Sequence, residues 1–480
     1  MENLIIEYSG NGKTGASLPV GSDLKSPSEI LSPELLRESV LGLPEVSEPE
    51  VIRHYTNLST MNHHVDKDFY PLGSCTMKYN PKINDRMAEI AGISEVHPLQ
   101  PVETIQGTLE ILYELGKFLC EITGMHSATL QPAAGSHGEL TGVMLMKKYH
   151  ESKGENRKYI LIPDSAHGTN PSSAMSSGFA TISLKSNERG CLDIEDLKAK
   201  MNREVAGLMI TNPNTLGLFE EEVEQIVEIV HQHDGIVYMD GANLNALLGI
   251  VRPGDIGFDI THINLHKTFS TPHGGGGPGS GPIAVVEKLA KFLPVPRVYR
   301  DGNRFALSED FPESIGRVMG NYGNFGVIVR AYVYIKMLGL EGLKHVSRNA
   351  ILNANYLRVK VAGKFEVPFN RACMHEFVAS GESLKQYGIK TLDIAKRLLD
   401  FGVHAPTVYF PLIVKEALMI EPTESESKAT LDRFYDSLCQ IEEEARTNPQ
   451  ILHDAPLTTS VRRLNELKAN KDLNVCWKKQ

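Results

Sequence analysis

Cysteine is sparse in this sequence, and its six copies are scattered with no close pair. They are Cys75, Cys120, Cys191, Cys373, Cys439 and Cys476. A disulfide framework or a structural zinc site needs cysteines at short, recurring spacings. The spacing therefore argues against both and favours reduced thiols in a protein of the cytoplasmic type.

Long apolar runs and an excess of positive charge are missing as well. No stretch approaches the roughly 18 apolar residues of a membrane span, and residues 1–7 lack the basic region and apolar run of a secretory signal. The net charge is −10, and no long basic stripe offsets it, which argues against general nucleic-acid binding. At 480 residues with 41% hydrophobic and 22% charged residues, we expect a soluble protein with more than one domain.

Proline content and periodicity divide the chain into four predicted segments. Residues 1–90 carry recurring prolines and short helical patterns, and we expect an arm that wraps on a partner surface. Residues 91–338 alternate apolar strands with amphipathic helices, which indicates a large domain with a mostly parallel sheet. Residues 339–460 suit a smaller α+β domain, and residues 461–480 form a polar, lysine-rich tail.

Seven apolar runs in the predicted large domain are expected to be strands. They cover residues 127–130, 159–163, 180–184, 207–211, 235–239, 259–264 and 282–286. Ligands of such sheets collect at the carboxyl ends of the strands. The residues that follow these runs are therefore the first candidates for a functional site.

One lysine lies between a predicted strand and a glycine-rich turn. Asn264 is the last residue of the predicted strand 259–264. The segment Asn264–Phe269 contains Lys267 and precedes the glycine run Gly274–Gly277. A partly desolvated lysine loses its proton more readily and becomes a nucleophile toward aldehydes. Lys267 is therefore a candidate Schiff-base lysine. The glycine run is not a dinucleotide fingerprint, because no clear helix begins from it.

Two other strand ends carry small residues and a histidine. The strand near Ala128 ends in Gln131–Leu140, where glycines that open a helix expose backbone N–H groups suited to a phosphate. The alternative there is a tight turn with no ligand. The next strand ends in Asp164–Ser173, where His167 either stacks on a flat aromatic ring or is a hydrogen-bonded structural histidine.

Asp240 ends a fourth predicted strand. A carboxylate buried at such a position is costly unless it is paired. An aspartate that holds a protonated ring nitrogen, together with a Schiff-base lysine, is the expected pairing for pyridoxal phosphate. Metal ligation and a helix cap are the alternatives for Asp240. A separate metal site would need three histidines that lack a compact ligand motif, namely His262, His266 and His273, and we expect no metal.

Four long motifs carry a resemblance to a known family. They are Phe69–Pro81, Gln131–Glu139, Asp164–Ser173 and Asn264–Gly277. With them the chain resembles the fold-type I pyridoxal phosphate enzymes, which are aspartate aminotransferase-like, and more specifically the glycine-decarboxylating P-proteins of the glycine cleavage system. The resemblance is to the second subunit of the two-subunit form and covers nearly the whole chain.

The resemblance implies a role for each matched position. Lys267 would bind the cofactor covalently, Asp240 would keep the pyridine nitrogen protonated, and His167 would stack on the ring. Candidate phosphate contacts are Gly135, Ser136 and Thr268. Of the remaining candidates, Ser74 and Cys75 are expected near the substrate entrance, with a packing or loop role favoured for the thiol, and His404 is expected to touch the site from the small domain.

The same resemblance implies a reaction and partners. Glycine would lose CO₂, and its aminomethyl group would pass to the lipoyl arm of an H-protein whose disulfide is reduced. The catalytic subunit would pair with P-protein subunit 1 in a heterotetramer with two copies of each. The alternatives are another fold-type I lyase or desulfurase, for which Cys373 is a poor nucleophile candidate, and a non-catalytic scaffold, which would need neither Lys267 nor Asp240.

Overall fold

The computed structural model describes residues 2–10, 12–15, 23–39, 41–274 and 279–476. Four 3₁₀ helices occur in this part of the chain, at Ile5–Tyr8, Pro33–Leu35, Val102–Thr104 and Glu382–Tyr387. The α-helices are α1 (Pro27–Ile30), α2 (Glu48–Met61), α3 (Lys82–Ala88), α4 (Ala91–Ser94), α5 (Gln106–Thr123), α6 (Gly135–Ser152), α7 (Thr169–Ser176), α8 (Ile194–Lys200), α9 (Val223–Gln232), α10 (Pro253–Ile256), α11 (Leu265–Thr268), α12 (Glu287–Ala290), α13 (Phe325–Val361), α14 (Thr391–Asp400), α15 (Lys428–Thr447), α16 (Gln450–Asp454) and α17 (Glu466–Lys471).

The strands of the described residues form three sheets. They are β1 (Ser127–Thr129), β2 (Tyr159–Pro163), β3 (Ala180–Leu184), β4 (Val205–Thr211), β5 (Ile236–Asp240), β6 (Ile260–His262), β7 (Ile283–Val285), β8 (Arg297–Asp301), β9 (Arg304–Ser308), β10 (Phe377–Ser380), β11 (Thr407–Val408) and β12 (Ala417–Ile420).

Two compact units divide the chain. One comprises residues 68–455, and the other comprises residues 1–67 together with 456–480. The second unit holds α1, α2 and α17. The predicted domain boundaries after residues 90, 338 and 460 stay predictions. Among the helices in the described part of the chain, none combines the length and apolar content needed to cross a membrane.

The larger unit is built on a seven-stranded sheet with the order β1-β7-β6-β5-β4-β2-β3. All neighbouring pairs are parallel except those of β7, which runs antiparallel to β1 and β6. The side chains of β5 alternate between the two faces, so Val237 packs with one core cluster, which includes residues of α5 and α9, and Tyr238 packs with another, which includes residues of α6. The predicted mostly parallel sheet with helices on both faces is confirmed, because the inner strands β4, β5 and β6 bury both of their faces.

The sheet register aligns the strand ends that matter for function. Thr211 pairs with Asp240, and Asp240 pairs with His262. Since β4, β5 and β6 are parallel, the residues that follow them emerge at the same edge of the sheet. The polar residues of these strand ends are therefore brought together by backbone pairing alone.

A smaller α+β region follows the large sheet, as predicted. It contains the antiparallel sheet β10-β12-β11 and a separate hydrophobic cluster with residues from α14 and α15. The helix α13 leads into it and is kinked at Gly339, whose φ is 57° and ψ −171°. A residue with a side chain would be strained in this conformation, so glycine permits the change of direction.

Lys78, from the first of the four motifs, is a buried cation that ties the core to the lysine-bearing helix. Its Nζ donates to Glu424 Oε1 at 2.7 Å, to Asn245 Oδ1 at 2.8 Å and to the Thr268 carbonyl at 3.0 Å. The Thr268 carbonyl lies at the end of α11, next to Lys267. Burial lowers the pKa of Lys78, but Glu424 and Tyr334 together raise it by more, so the ammonium stays charged.

Replacing Lys78 by methionine is expected to lower the free energy of unfolding by about 3–5 kcal/mol, because it leaves the Glu424 carboxylate without its cation in a mostly buried position. Urea denaturation measures the loss, and the double variant with Glu424→Gln should recover part of it. The control is Lys158→Met, which removes an exposed ion pair with Glu204 and should cost less than about 1 kcal/mol. Equal losses in the two single variants would contradict this account.

Candidate active site

A cavity of about 320 Å³ opens at the carboxyl edge of the large sheet. It is lined by five of the six predicted site residues, namely Gly135, Ser136, His167, Asp240 and Lys267. Ser74 and Cys75 line it too. These seven residues therefore lie around one cavity.

Two predicted positions lie elsewhere. Thr268 is fully buried and does not line the cavity, and its Oγ1 accepts a hydrogen bond from the Leu244 N–H at 3.0 Å. That bond uses one lone pair of the hydroxyl, and the phosphate contact of Thr268 stays a prediction. His404 stacks on Tyr70 with ring centroids 3.9 Å apart, and it is not among the described residues that line the cavity.

Lys267 is presented by the single turn of α11, directly after β6. The carbonyl of Asn264 accepts from the N–H groups of Lys267 and Thr268 at 3.0 and 3.1 Å. This turn buries Leu265 in the core and leaves the Lys267 side chain half-buried at the cavity wall. Of the glycine run that follows, residues 275–277 lie outside the described part of the chain.

Asp240 ends β5 with both of its carboxylate oxygens engaged. Oδ2 accepts from Asn170 Nδ2 and Oδ1 from the Ala242 N–H, each at 3.0 Å, while His262 Nε2 lies 3.5 Å from Oδ1. Burial acts to raise the pKa of Asp240, but the neighbouring His262 and the two hydrogen bonds outweigh it and leave the pKa lowered. Asp240 is therefore a fixed carboxylate that can hold a proton on a ligand nitrogen.

His167 and Glu139 form a second polar group on the wall. Thr169 Oγ1 lies 2.7 Å from His167 Nδ1 and donates to Glu139 Oε1 at 2.7 Å. Burial lowers the pKa of His167, so its ring is neutral near pH 7. Burial and the charge of Asp240 raise the pKa of Glu139 to about 7. A neutral imidazole is suited to stacking on an aromatic ring without adding charge.

The N-terminus of α6 is the candidate anion site. The residue before the helix is Ala134, which has no side-chain oxygen to cap the first turn, so the N–H groups at Gly135 and Ser136 are available to a ligand. A Cβ at Gly135 would lie 2.6 Å from Asn264 Oδ1. Glycine thus allows α6 to approach the segment that carries Lys267. These features fit the phosphate of pyridoxal phosphate.

An acidic wall, made of Glu376 and the adjacent Glu421, was not predicted from the sequence. His375 and Glu376 line the cavity, and with Glu421 they bring ligand atoms within 4.8 Å of one another. Phe377 pairs with Ile420 in antiparallel register, so Glu376 before one and Glu421 after the other lie side by side. Only this register reveals the pair. The adjacent His-Glu dipeptide is a weak signal on its own.

Most of these buried groups are uncharged. Burial lowers the pKa of His375 to about 3, burial and the charge of Glu421 raise that of Glu376 well above its usual value, and burial raises that of Glu421 to about 7. In the described residues, potential metal donors also group at Glu139, Asp240 and His262. Neither donor group is the set of three histidines weighed from the sequence.

The sheet order, the lysine after β6 and the aspartate at the end of β5 define a fold-type I pyridoxal phosphate enzyme. Residues 22–298 match the family model of the glycine cleavage system P-protein, and residues 346–457 match that of the glycine dehydrogenase C-terminal domain. The chain belongs to the glycine cleavage system P-protein family.

Relatives that match nearly the full length of the chain support this family assignment. The chain is 57% identical over 477 residues to a probable glycine dehydrogenase (decarboxylating) subunit 2 from Chlorobium chlorochromatii, with 99% of each chain covered. It is 57% identical over 479 residues, again with 99% of each covered, to the protein of the same description from Caldanaerobacter subterraneus subsp. tengcongensis.

Solved structures share the fold. An inhibitor-bound glycine decarboxylase (P-protein) of the glycine cleavage system superposes with a TM-score of 0.70 at 20% identity, over 86% of this chain and 93% of that one. A glutamate decarboxylase from Lactobacillus brevis superposes with a TM-score of 0.66 at 12% identity, over 88% and 97%. At such identities the likeness concerns the fold alone.

Proposed function

We propose that this chain is the cofactor-bearing subunit of a P-protein that decarboxylates glycine with pyridoxal phosphate. It passes the aminomethyl group to the lipoyl arm of an H-protein, whose disulfide is reduced. The observation that carries the proposal is the pairing of Lys267 and Asp240 across one cavity, in a chain 57% identical to proteins described as glycine dehydrogenase subunit 2.

Each residue of the cavity wall has a separate role in the proposed reaction. Pyridoxal phosphate, when bound, supplies an electron sink for the electron pair left at the α-carbon as CO₂ departs. Lys267 Nζ would hold the cofactor covalently and would give way to the amine of glycine. Asp240, which is ionised, would hold a proton at the ring nitrogen, and His167 would keep the ring in place. The N–H groups at the start of α6 would bind the phosphate.

A second subunit is part of the proposal. The relatives are described as subunit 2, and we propose a pairing with P-protein subunit 1 in a heterotetramer with two copies of each. The unit that contains residues 1–67 exposes large apolar side chains, among them Leu24, Leu35 and Leu43. Such side chains are suited to a protein surface, as the predicted arm requires.

Exchange of labelled CO₂ into the carboxyl group of glycine tests the proposed reaction. We expect exchange only when the chain, its partner subunit and a lipoylated carrier are all present. Protein with Lys267→Ala should give none under the same conditions. A complete mixture without exchange would refute the decarboxylase assignment. If the wild-type chain is coloured and consumes another amino acid, it has a different fold-type I activity. If it is colourless and takes up no cofactor, it is a scaffold.

A further inference from the structure

The cavity offers no strong anion-binding side chain for a substrate carboxylate. No arginine occurs among the described residues that line it, and Lys267 is the single lysine there. Lys267 is committed to the cofactor in the proposed function. Three histidines on the wall are neutral, because burial lowers the pKa of His266 to about 3, of His273 to about 4 and of His375 to about 3.

Glu376 is placed to fill this gap. Its side chain is 4% exposed and lies on the cavity wall. Its Oε2 accepts from the Ser74 N–H at 2.7 Å, which fixes the carboxyl group and leaves Oε1 as the second oxygen. The Ser74 backbone holds a left-handed φ of 60°, so this loop conformation is maintained by the contact rather than by intrinsic preference.

Glu421 is held beside Glu376 by the same loop. Its Oε1 accepts from Thr76 Oγ1 and from Asn243 Nδ2, each at 2.8 Å, and its Oε2 accepts from the Thr76 N–H at 3.1 Å. Two carboxyl groups this close in a buried position cannot both ionise at low cost. The pair therefore retains a proton.

We propose that Glu376, in its neutral acid form, donates a hydrogen bond to the carboxylate of the amino-acid substrate, and that Glu421 is the positioning residue that keeps the proton on Glu376. The inference rests on the proposed function and adds a substrate contact to it. No bond is made or broken, and the proton stays on the Glu376 acid.

A neutral donor suits a carboxylate that leaves as CO₂. An ion pair would stabilise the charged ground state more than the transition state, in which that charge is moving into the cofactor. A hydrogen bond from an acid orients the carboxylate with less of this penalty. The arrangement thus favours binding together with loss of the carboxyl group.

The groups around Glu376 determine whether it keeps its proton. Burial and the charge of Glu421 favour the acid form, while the Ser74 N–H and Lys267 favour the carboxylate, and the net pKa is raised. His375 Nε2 lies 3.7 Å from Oε1 and is neutral. Cys75 stays a thiol because burial raises its pKa. Glycine binding should therefore weaken on the alkaline side, as Glu376 ionises.

Glycine titrations into the holoenzyme complex without lipoyl carrier, followed by visible absorbance between pH 6 and 9, test this inference. Wild-type affinity should fall up to tenfold per pH unit above the pKa of Glu376. The steep fall should disappear in Glu376→Gln, which cannot ionise. Glu376→Ala should bind about 10- to 100-fold more weakly. Glu421→Gln should shift the fall to lower pH, because a like-charged neighbour is gone.

A second measurement does not depend on the cofactor. The folded pKa of Glu376 is raised, so its stabilisation is complete below the unfolded value and is lost as the pH rises through the folded pKa. Because Glu376→Gln differs from wild type at this carboxyl group alone, the unfolding temperature of the cofactor-free chain should fall with rising pH more steeply in wild type than in the variant.

Glu220→Gln is the matched control. Glu220 is another buried carboxyl group whose burial raises its pKa, yet it lies outside the described cavity lining. Its variant should flatten the pH dependence of stability and leave the pH profile of glycine binding unchanged.

The outcomes separate this inference from the proposed function. If wild type and Glu376→Gln share one pH profile for glycine binding, or if Glu376→Ala binds glycine like wild type, the inference is overturned and the proposed function stands. If wild type binds no glycine, the proposed function fails, and the substrate contact fails with it. A stoichiometric divalent metal held by His375, Glu376 and Glu421 would also overturn the inference, because a metal requires the carboxylates.

Discussion

Replacing Lys267 by alanine is expected to remove the covalent bond between protein and cofactor and to lower glycine–CO₂ exchange by about 10³-fold or more. Lys267 is the single lysine among the described residues of the cavity wall, so no neighbouring amine can replace it. The variant should keep its fold, because this side chain is half-buried and carries no core packing.

Dialysis and borohydride treatment measure the first effect, since the cofactor should wash out of the variant and no colour should remain bound after reduction. Lys291→Ala serves as the control, because Lys291 forms an exposed pair with Glu313 away from the cavity. A Lys267→Ala protein with wild-type colour and exchange would show that another amine holds the cofactor.

Replacing Asp240 by asparagine should lower the exchange rate by about 10²- to 10⁴-fold. Asparagine has nearly the same shape and can still accept from the Ala242 N–H, but it has no charge to hold a proton on the ring nitrogen. The electron sink is then weaker at the moment when CO₂ leaves. The affinity for the cofactor should fall less than the rate, because the phosphate and lysine contacts remain.

Asp259→Asn is the matched control for this prediction. Asp259 is another buried aspartate, directly before β6, that pairs with His231 and Lys288, and it does not line the described cavity. Its variant should lose stability but keep its exchange rate per bound cofactor. Similar rate losses in the two variants would mean that Asp240 acts through the fold and not through the cofactor.

The strands and the cavity were largely predictable from residue patterns. The apolar runs 159–163 and 180–184 coincide with β2 and β3, and the run 235–239 differs by one residue from β5. Because buried parallel strands are short and end in polar residues, the rule for ligand sites at carboxyl ends placed His167, Asp240 and Lys267 at one edge. These three residues could be predicted without knowing which strands pair or in which register.

The acidic wall of Glu376 and Glu421 and the buried cation Lys78 could not be predicted without the strand pairing and the long-range contacts. Glu376 and Glu421 are neighbours only because β10 and β12 pair in one register, and the local sequence does not specify it. Lysine is a residue type that is normally exposed. Lys78 can be buried because it pairs with Glu424, which lies more than 300 positions away in the sequence. Thr268 follows Lys267 in sequence, yet the turn of α11 directs its hydroxyl to the Leu244 N–H.

The central claim is that glycine and Lys267 compete for the same cofactor, and borohydride reduction with peptide mapping tests it directly. Without glycine, the account predicts that reduction attaches the cofactor to the peptide that contains Lys267 and to no other lysine. Saturating glycine before reduction should protect that peptide. A cofactor fixed on a different lysine, or labelling of Lys267 that glycine does not diminish, would contradict the account.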